Sequence, residues 1–442
     1  MSLAGFVLDS IAFYPGMMSP DSIDQLDQAV QNQYTDWHPP VMAGFWRILN
    51  FIYFGPQPML FFQLGLLWTA CFFLTRWLLF NCWPVAALVP ILMLMPFIQN
   101  FAGTIWKDVQ MAAAWFLAAV LLARSVVWQS KLSAFGSAIS LLLLLYGCWV
   151  RPNGFPGFFP LACLWVIARS GVTPEGSRQW LSLAGKGIFL TAIALLSQVF
   201  LSRVVLKAEQ NHIEYKLFAH DLAGIYYSTG ELHFPEFVTN HPGFDTAYLR
   251  KKYSYTTFDN IWWNNDNVNM LPPVDAGKLK IMREYWLASI FKHPRAYLYN
   301  RIQGFFYFLR IKDSGSTLML TYPYTHPNSY GFTYEPGRLA EFIFRNVEKC
   351  RSFLVMKPYF WLFLNIVLLP LLYIKQFRQV KLPVLMLLLS SLFYVAFEFI
   401  VFPADTEFRY FYWNCISIGL SIILLVSAAC ARNVTEPSGR QK

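Results

Sequence analysis

The chain has 442 residues, of which 56% are hydrophobic, 18% aromatic and only 14% charged. Average soluble domains carry roughly 25% charged residues, so this composition excludes an ordinary soluble protein and indicates a polytopic membrane protein. The net charge of +10 comes without a nucleic-acid-binding motif, and a basic excess in such a chain is typical of cytoplasmic loops.

The chain begins with an apolar run that ends at Tyr14. A bilayer span needs roughly 20 residues, so this run is too short to cross by itself. A cleavable signal would need a basic leader, which the run lacks. We interpret it as the end of a first span whose start is missing.

The segment SPDSIDQLDQAV follows and predicts a helix that lies on the membrane surface. Ser19 is a plausible N-cap, Pro20 fits the first helical position, and an apolar stripe at helical spacing is formed by Ile23, Leu26 and Val30. Asp21 falls in the first turn, where the helix dipole favours a carboxylate. Asp21 is therefore either a stabilising acid or a catalytic or metal-binding carboxylate.

The segment YTDWHPPV places an acid, an indole, an imidazole and two prolines side by side. The prolines break the helix and predict a rigid turn, after which residues 41–53 form a second, interrupted surface helix. The Trp of this turn is typical of simple membrane anchoring. Alternatively, Asp36 and His38 face Asp21 and take part in catalysis or binding.

Apolar runs of near-spanning length follow along the rest of the chain. The predicted spans are 59–80, 85–103, 109–127, 134–150, 155–168, 187–206, 353–374, 382–402 and 412–431. With the surface segments, the pattern predicts an α-helical polytopic protein of about 9–11 transmembrane helices. We divide the chain into an N-terminal membrane module (1–206), a mostly helical periplasmic domain (207–352) and C-terminal membrane helices (353–442).

Basic residues set the predicted orientation, because cytoplasmic loops are rich in Lys and Arg. With Arg76 inside, the other loops on that side carry Arg124 and Lys131; Arg169, Arg178 and Lys186; Lys375, Arg378 and Lys381; and Arg432, Arg440 and Lys442. The opposite loops are 14–58, 104–108, 151–154, 207–352 and 403–409. The unusual polar residues therefore gather on the outer side.

Three short outer segments carry ionisable residues at the membrane boundary, where such residues are often functional. TIWKDVQ contains Lys107 and Asp108, RPNG begins with Arg151, and PADTEFRYFYW contains Glu407 and Arg409. An Arg binds phosphate well because its guanidinium contacts two oxygens at once. A solvated Lys–Asp pair is the simpler reading of Lys107 and Asp108.

The seven histidines all fall in segments predicted to lie outside, and none is paired at a ligand spacing such as HxxxH. The seven cysteines form neither a CxxC site nor a disulfide framework. The sequence therefore predicts no dedicated zinc site.

The order of these motifs resembles the GT-C superfamily of integral-membrane glycosyltransferases. The shared elements are an apolar segment ending in YPG, SPDS with an amphipathic helix, a DWHPP turn, an outer WKD loop, an outward RPNG and a late E-x-RYFY. More narrowly, the chain is similar to bacterial members related to protein mannosyltransferases and aminoarabinose transferases. The resemblance implies a sugar donor carried on polyprenyl phosphate and transfer on the periplasmic side of the bacterial inner membrane.

The resemblance also implies roles for particular residues. The acid of the first outer loop in such enzymes matches Asp21, with Asp36 as competitor, and the acid of the second outer loop matches Asp108. The chain departs from the family in lacking a full first span and an adjacent Asp-Glu pair in the first loop.

The chemistry of sugar transfer suits these residues. Attack of a hydroxyl on the anomeric carbon needs a base, here Asp21 or Asp36, and the departing lipid phosphate needs cations beside it. We assign binding of the donor phosphate to Lys107, Arg151 and Arg409, with His38 assisting. Asp108 and Glu407 are assigned a supporting or metal-binding role. A divalent cation between Asp21 and Asp108 is compatible with this mechanism but is not required.

Two other classes of function stay open. A polymerase or ligase of lipid-linked polysaccharide would share the spans, the large outer domain and the outward arginines. A transporter would share the spans but should place charges inside them, where this chain has few. The predicted partners are the lipid bilayer, a polyprenyl-phosphate sugar and an acceptor of the cell envelope, with no nucleic acid.

Overall fold

The computed structural model describes residues 1–262, 269–312, 319–401 and 406–432. The structure is 72% helical and the described residues contain no β-strand. Two isolated bridges, Met17 to Thr104 and Thr35 to Glu209, join distant segments in parallel. The predicted inner residues Arg440 and Lys442 lie outside the described residues.

Eleven α-helices make up the N-terminal part of the chain. They are α1 (Ser2–Phe13), α2 (Pro20–Gln31), α3 (Pro40–Asn50), α4 (Gln57–Asn81), α5 (Trp83–Ala86), α6 (Leu88–Met93), α7 (Pro96–Gln99), α8 (Lys107–Val127), α9 (Ala134–Val150), α10 (Phe155–Ser170) and α11 (Ser177–Phe200). A 3-10 turn over Pro152–Gly154 links α9 to α10, and a π-helical segment, Leu201–Val205, extends α11.

Nine further α-helices follow in the described part of the chain. The middle region contains α12 (Glu214–Thr229), α13 (Glu236–Thr239), α14 (Thr246–Lys252), α15 (Ala276–Lys292), α16 (Pro294–Phe308) and α17 (Arg338–Lys349). The C-terminal region contains α18 (Pro358–Leu371), α19 (Lys381–Val401) and α20 (Tyr412–Arg432). Four more 3-10 turns are Asp259–Ile261, Leu354–Met356, Lys375–Phe377 and Phe408–Phe411.

Long apolar helices occur at five of the predicted spans. Within the described residues, the segments long and apolar enough to cross a membrane are Gln57–Phe80, Lys107–Val127, Ser177–Val205, Lys381–Ile400 and Phe408–Cys430. Shorter apolar helices are Ser2–Phe13, Trp83–Met93, Ala134–Val150 and Pro358–Leu371. The chain is therefore an α-helical protein with the helices of a membrane protein.

The predicted span at 85–103 is wrong as a single helix. The structure divides this region into α5, α6 and α7, and a proline lies in the first turn of each: Pro84, Pro90 and Pro96. Proline lacks a backbone N–H and clashes with the preceding turn, so it begins a helix more readily than it continues one. The apolar composition of the run concealed these three helix starts.

Helix α8 lies at the centre of the bundle, where it contacts α4, α9, α10, α19 and α20. Six of its residues are buried alanines, whose small side chains let neighbouring helices approach closely: Ala112, Ala113, Ala114, Ala118, Ala119 and Ala123. On α9, a Cβ added at Gly147 would lie 2.2 Å from Nε1 of Trp115 in α8. Glycine at this position therefore permits the contact between α8 and α9.

A second hydrophobic core lies in the middle region, built by α12, α14, α15 and the loops between them. Its fully buried side chains include Leu222, Leu249, Ile261 and Met282. By contrast, Phe308, Tyr322, Tyr334 and Val347 belong to the core of the helix bundle, and α17 contacts α1 and α7. The proposed domain 207–352 therefore contains two packing environments, and its boundaries stay a prediction.

The extended segment before α17 crosses the first predicted outer loop. The backbone N–H of His326 donates to the carbonyl of Met18 at 2.9 Å, and the hydroxyl of Tyr334 donates to the carbonyl of Ala12, also at 2.9 Å. These bonds hold the residues that precede α2 against the segment that leads to α17.

Candidate active site

The start of α2 is fixed against the residues that precede α8. Ser19 is the N-cap of α2 and Pro20 its first residue, which confirms both predictions. The indole N–H of Trp106 donates to Oγ of Ser19 at 2.7 Å, and the hydroxyl of Ser22 donates to the carbonyl of Ile105 at 2.7 Å. These contacts bring the first turn of α2 to the first turn of α8.

Two of the three apolar residues predicted for α2 are buried, and one is not. Ile23 and Leu26 are buried, whereas the side chain of Val30 is 38% exposed and Ala29 is buried in its place. The α2 helix packs mainly against α3. The stripe therefore ends one residue earlier than predicted.

Asp21 forms an ion pair with Arg409, 388 positions later in the sequence. Nη1 of Arg409 lies 3.0 Å from Oδ2 of Asp21, and the same guanidinium contacts the Glu407 carboxylate through Nε. The guanidinium also lies over the ring of Trp106, 4.4 Å from its centroid. The Asp21 side chain is 29% exposed, so a ligand can reach it.

His38 lies between Lys107 and two acids of α2. Nζ of Lys107 is 2.7 Å from Nδ1 of His38, and Nε2 of His38 lies 3.8 Å from Asp21 and 4.0 Å from Asp24. A charged Lys can only donate, so Nδ1 accepts and the imidazole proton is on Nε2, on the side of the acids. The two prolines of the HPP turn start α3 directly after this residue.

Arg151 and Arg409 meet at one aromatic ring. The Arg151 guanidinium carbon is 4.6 Å from the centroid of Tyr410, and that of Arg409 is 5.0 Å from the same centroid. Nε of Arg151 is 2.9 Å from Oδ1 of Asp108, and both of these side chains are buried. The structure thus brings together the two arginines that the sequence placed on separate loops and that we predicted to bind phosphate.

The electrostatics of Asp21 and His38 follow from burial and from the cations around them. Burial alone would raise the pKa of Asp21, but the positive charges, above all that of Arg409, hold this pKa well below the usual aspartate range. Burial, helped by the charge of Lys107, lowers the pKa of His38 from the usual 6.5 to about 3. At neutral pH Asp21 is therefore ionised and His38 is neutral.

Asp36 does not join this group through any hydrogen bond that the structure shows. Its Oδ1 accepts from the backbone N–H of Asn211 at 2.6 Å, and its own N–H donates to the carbonyl of Glu209 at 2.9 Å. Asp36 therefore fastens the DWHPP turn to the chain that follows α11. This position suits a structural acid better than a base at the site.

Three residues near the site were assigned no role from the sequence. Asp24 lies three residues after Asp21, on the same face of the helix, so helical spacing predicts that it lies near the site. Glu398 is buried in α19 and accepts from the side-chain amide of Asn153 in the RPNG turn. The sequence indicates Glu398 because it is an acid inside a predicted span. Tyr410 lies in the quoted RYFY motif, but its contact with both arginines has no sequence signal.

The two acids suggested for a divalent cation, Asp21 and Asp108, are each paired with an Arg guanidinium. Among the described residues, neither acid belongs to a group of three metal-ligand side chains whose ligand atoms lie close together. The donor set therefore does not fit a resident metal, and no reaction step below uses one. Comparisons of the chain with protein-family models, curated proteins and solved structures find no match.

Proposed function

We propose that this protein is a membrane glycosyltransferase that moves a sugar from a polyprenyl-phosphate donor to an acceptor hydroxyl of the cell envelope. One observation carries the proposal: Lys107, Arg151 and Arg409 come from three separate outer segments and gather near Asp21, a partly exposed carboxylate. Arg409 pairs with Asp21, Arg151 shares the Tyr410 ring with Arg409, and Lys107 contacts His38 beside Asp21. Cations beside an accessible base are what displacement of a lipid phosphate requires.

The proposed reaction is a single displacement with inversion at the anomeric carbon. The acceptor hydroxyl gives its proton to Asp21 as its oxygen bonds to the anomeric carbon. The bond from that carbon to the phosphate oxygen breaks, and the electron pair leaves with the polyprenyl phosphate. Arg409 and Arg151 stabilise the charge that develops on this leaving group, because each guanidinium offers five donors and can hold phosphate as well as a carboxylate.

Donor binding also raises the basicity of Asp21, which is low in the free protein. Its pKa is held low by neighbouring cations, and a weak base accepts a proton poorly. A bound phosphate adds negative charge next to Arg409 and Lys107 and so weakens their effect on Asp21. The basicity of Asp21 therefore rises when the donor is present. Neutral His38 offers Nε2–H as a hydrogen-bond donor to the acid or to the acceptor.

The membrane setting is part of the same proposal. We place the protein in the bacterial inner membrane with about 9–11 transmembrane helices and with the site on the periplasmic side. The support is that the predicted outer loops contact one another at the site. On the predicted inner side, Leu132 N–H donates to the carbonyl of Ala168, the last residue of a predicted span, at 3.4 Å. A polyprenyl donor would reach the site from the bilayer.

A polymerase or ligase of lipid-linked glycans is the second candidate. It would break the same type of bond and use the same cations, so the site favours it as much as a transferase of single sugars. Product size separates the two: one sugar added, or a chain lengthened.

The test is an assay of donor consumption with the purified full-length protein in nanodiscs and a panel of polyprenyl-phosphate sugars. Arg151→Lys and Arg409→Lys keep the charge but lose the bidentate fork, so each should lower turnover markedly while the protein remains folded. Arg338→Lys, at the start of α17, is the matched control and should leave turnover unchanged. Normal turnover in both site variants would contradict the phosphate clamp.

A further inference from the structure

A second cluster of ligand-type side chains lies in the middle region, among residues the proposed reaction does not use. Glu231 and His233 follow the end of α12, and His293 is the residue between α15 and α16. Within the described residues, this is the group in which three ligand atoms of His, Cys, Asp or Glu lie within 4.8 Å of one another.

The distances within the cluster match a metal-binding triad. Nε2 of His233 is 3.0 Å from Nε2 of His293. Oε2 of Glu231 lies 3.4 Å from Nε2 of His233 and 3.3 Å from Nε2 of His293. Tetrahedral zinc with bonds of roughly 2.0–2.1 Å places its ligand atoms about 3.3–3.4 Å apart. A small shift of the two imidazoles would therefore place all three atoms around one ion.

The donor types select the class of ion. Two imidazole nitrogens and one carboxylate oxygen suit zinc and neighbouring transition metals, whereas magnesium and calcium prefer oxygen ligands throughout. Three protein ligands leave a fourth position for water. His233 and Lys292 also line a pocket of about 340 Å³ together with Glu284, Tyr285, Ala288 and Ser289, which leaves space for that fourth ligand.

The three ligand residues lie next to helix ends, which fix the positions of their backbones. Gly230 caps the C-terminus of α12 with a φ of 77°, a conformation that glycine adopts readily. The N–H of Glu231 donates to Oγ1 of Thr229 at 3.1 Å. The N–H of His293 donates to the carbonyl of Ser289 at 2.8 Å. Because α12 also contacts α15 and α16, the ligands sit on elements that are already packed together.

We propose that Glu231, His233 and His293 bind one zinc-class divalent cation that fastens the end of α12 to the junction of α15 and α16. The spacing of these residues in the sequence gives no metal motif, since the two histidines are sixty positions apart. The site is separate from the proposed transferase site and shares no residue with it. Its test therefore does not depend on the transferase proposal.

The experiment uses the purified full-length protein, stripped of metal with a chelator and titrated with Co²⁺. Bound Co²⁺ is followed by its visible absorption, and Zn²⁺ is then added to displace it. The wild type should bind one ion per chain. His233→Ala and His293→Ala should each weaken binding by at least about tenfold, the lower limit for the loss of even an indirect partner of a metal site. Equal affinity in the wild type and His293→Ala would overturn the proposal.

Two further variants protect the test against misfolding. His241→Ala removes a histidine of the same region whose Nε2 contacts the Asn269 carbonyl, and it should bind Co²⁺ like the wild type. Lys292→Met removes an ammonium 2.6 Å from Glu231, which repels a cation, so its affinity should rise severalfold. A gain of affinity cannot result from misfolding. A loss of binding in His241→Ala, or no gain in Lys292→Met, would contradict an ion at this triad.

Stability gives an independent readout. An ion that binds only the folded protein raises its melting temperature. Zn²⁺ should therefore raise the Tm of the wild type and of His241→Ala, but not that of His293→Ala. Equal shifts in all three proteins would show that Zn²⁺ acts elsewhere.

Discussion

At the residue scale, the chemistry of the site centres on Asp21. Asp21 combines a partly exposed side chain with two nearby cations, Arg409 and Lys107, whereas Asp36 is bonded to the backbone of Asn211. We therefore expect Asp21→Asn, which is nearly isosteric and cannot accept a proton, to lower turnover by roughly a hundred- to ten-thousand-fold. Donor binding should persist because the cations are unchanged. Turnover and donor affinity are measured on the same preparation.

The matched control for this change is Asp27→Asn, the same substitution on the same helix, six residues after Asp21. It should leave turnover close to that of the wild type. Near-normal turnover in Asp21→Asn with a loss in Asp36→Asn would transfer the role of base to the DWHPP turn. Normal turnover in both would refute the mechanism.

His38 gives a second prediction, concerning stability as a function of pH. Its pKa falls from the usual 6.5 to about 3 on folding, because burial and the charge of Lys107 disfavour the imidazolium. Between these two values the unfolded chain binds a proton that the folded chain does not, so stability falls as the pH falls below about 6.5. The loss is at most about 1.4 kcal/mol per pH unit.

In His38→Gln this contribution is absent. The Tm of the wild type in detergent should therefore fall more steeply between pH 7 and pH 5 than the Tm of the variant. The groups that face His38, namely Lys107, Asp21 and Asp24, are present in both proteins. Their effects on the pH dependence of the Tm therefore cancel to first order in the comparison. Parallel Tm curves would show that folding does not lower the pKa of His38.

Sequence reasoning located most of the individual residues of the site but not their partners. Ser19 and Pro20 could be predicted because capping depends on a few adjacent residues. The pairing of Asp21 with Arg409 spans 388 positions and depends on how α2, α8 and α20 pack. Likewise, Val30 is exposed although it lies at helical spacing from Ile23 and Leu26, because burial depends on what packs against a helix as well as on the helical period.

At the element scale, the packing of α8 determines where the site residues stand. Its first turn carries Lys107 and Asp108, and its buried face touches α9 at Gly147. We expect Gly147→Ala to lower the Tm, because the new Cβ would meet the indole of Trp115, which is fully buried and bonded to the Leu144 carbonyl at 3.0 Å. Overpacking of this kind costs typically about 1–3 kcal/mol.

Gly65→Ala in α4 is the control for this change. An added Cβ at Gly65 would meet nothing within 4 Å, and alanine is the better helix former by about 1 kcal/mol. Its Tm should therefore equal or exceed that of the wild type. A Tm in Gly147→Ala as high as in Gly65→Ala would mean that α8 and α9 are less closely packed than the structure indicates.

The elements themselves show where hydrophobic runs are sufficient evidence and where they are not. Long runs without internal helix starts, such as those of α4, α8 and α20, were predicted closely because length and apolarity define them. The run from 85 to 103 is equally apolar, but Pro84, Pro90 and Pro96 each restart the helix. Reading prolines as possible first-turn residues would have predicted this division.

At the scale of the whole molecule, one buried ion pair connects the middle region to the bundle. Arg301 in α16 donates to both carboxylate oxygens of Asp221 in α12, with Nε 2.9 Å from Oδ1, and its Nη1 contacts the carbonyl of Phe399 at 3.3 Å. The indole of Trp286 donates to the same carboxylate at 2.8 Å. The second core, α16 and the end of α19 are thus joined through one guanidinium.

The orientation of the molecule in the membrane is the last prediction, and every site assignment depends on it. The alternating basic loops place 207–352 outside and the loop with Lys375, Arg378 and Lys381 inside. A membrane-impermeant thiol reagent applied to intact cells should therefore modify Asp259→Cys but not Arg378→Cys. Asp259 serves better than its neighbour Trp262, because its side chain is 76% exposed while Trp262 packs against Trp37.

The native thiols set the background for this experiment. Cys350 and Cys430 are partly exposed, whereas the other five cysteines are buried, so these two are first replaced by serine. Arg378→Cys should react once the membrane is permeabilised, which shows that its thiol is accessible. Modification of Arg378→Cys in intact cells, with protection of Asp259→Cys, would place Asp21 and its cations in the cytoplasm. The donor would then have to be a cytoplasmic one, and the proposed use of a periplasmic polyprenyl-phosphate sugar would be refuted.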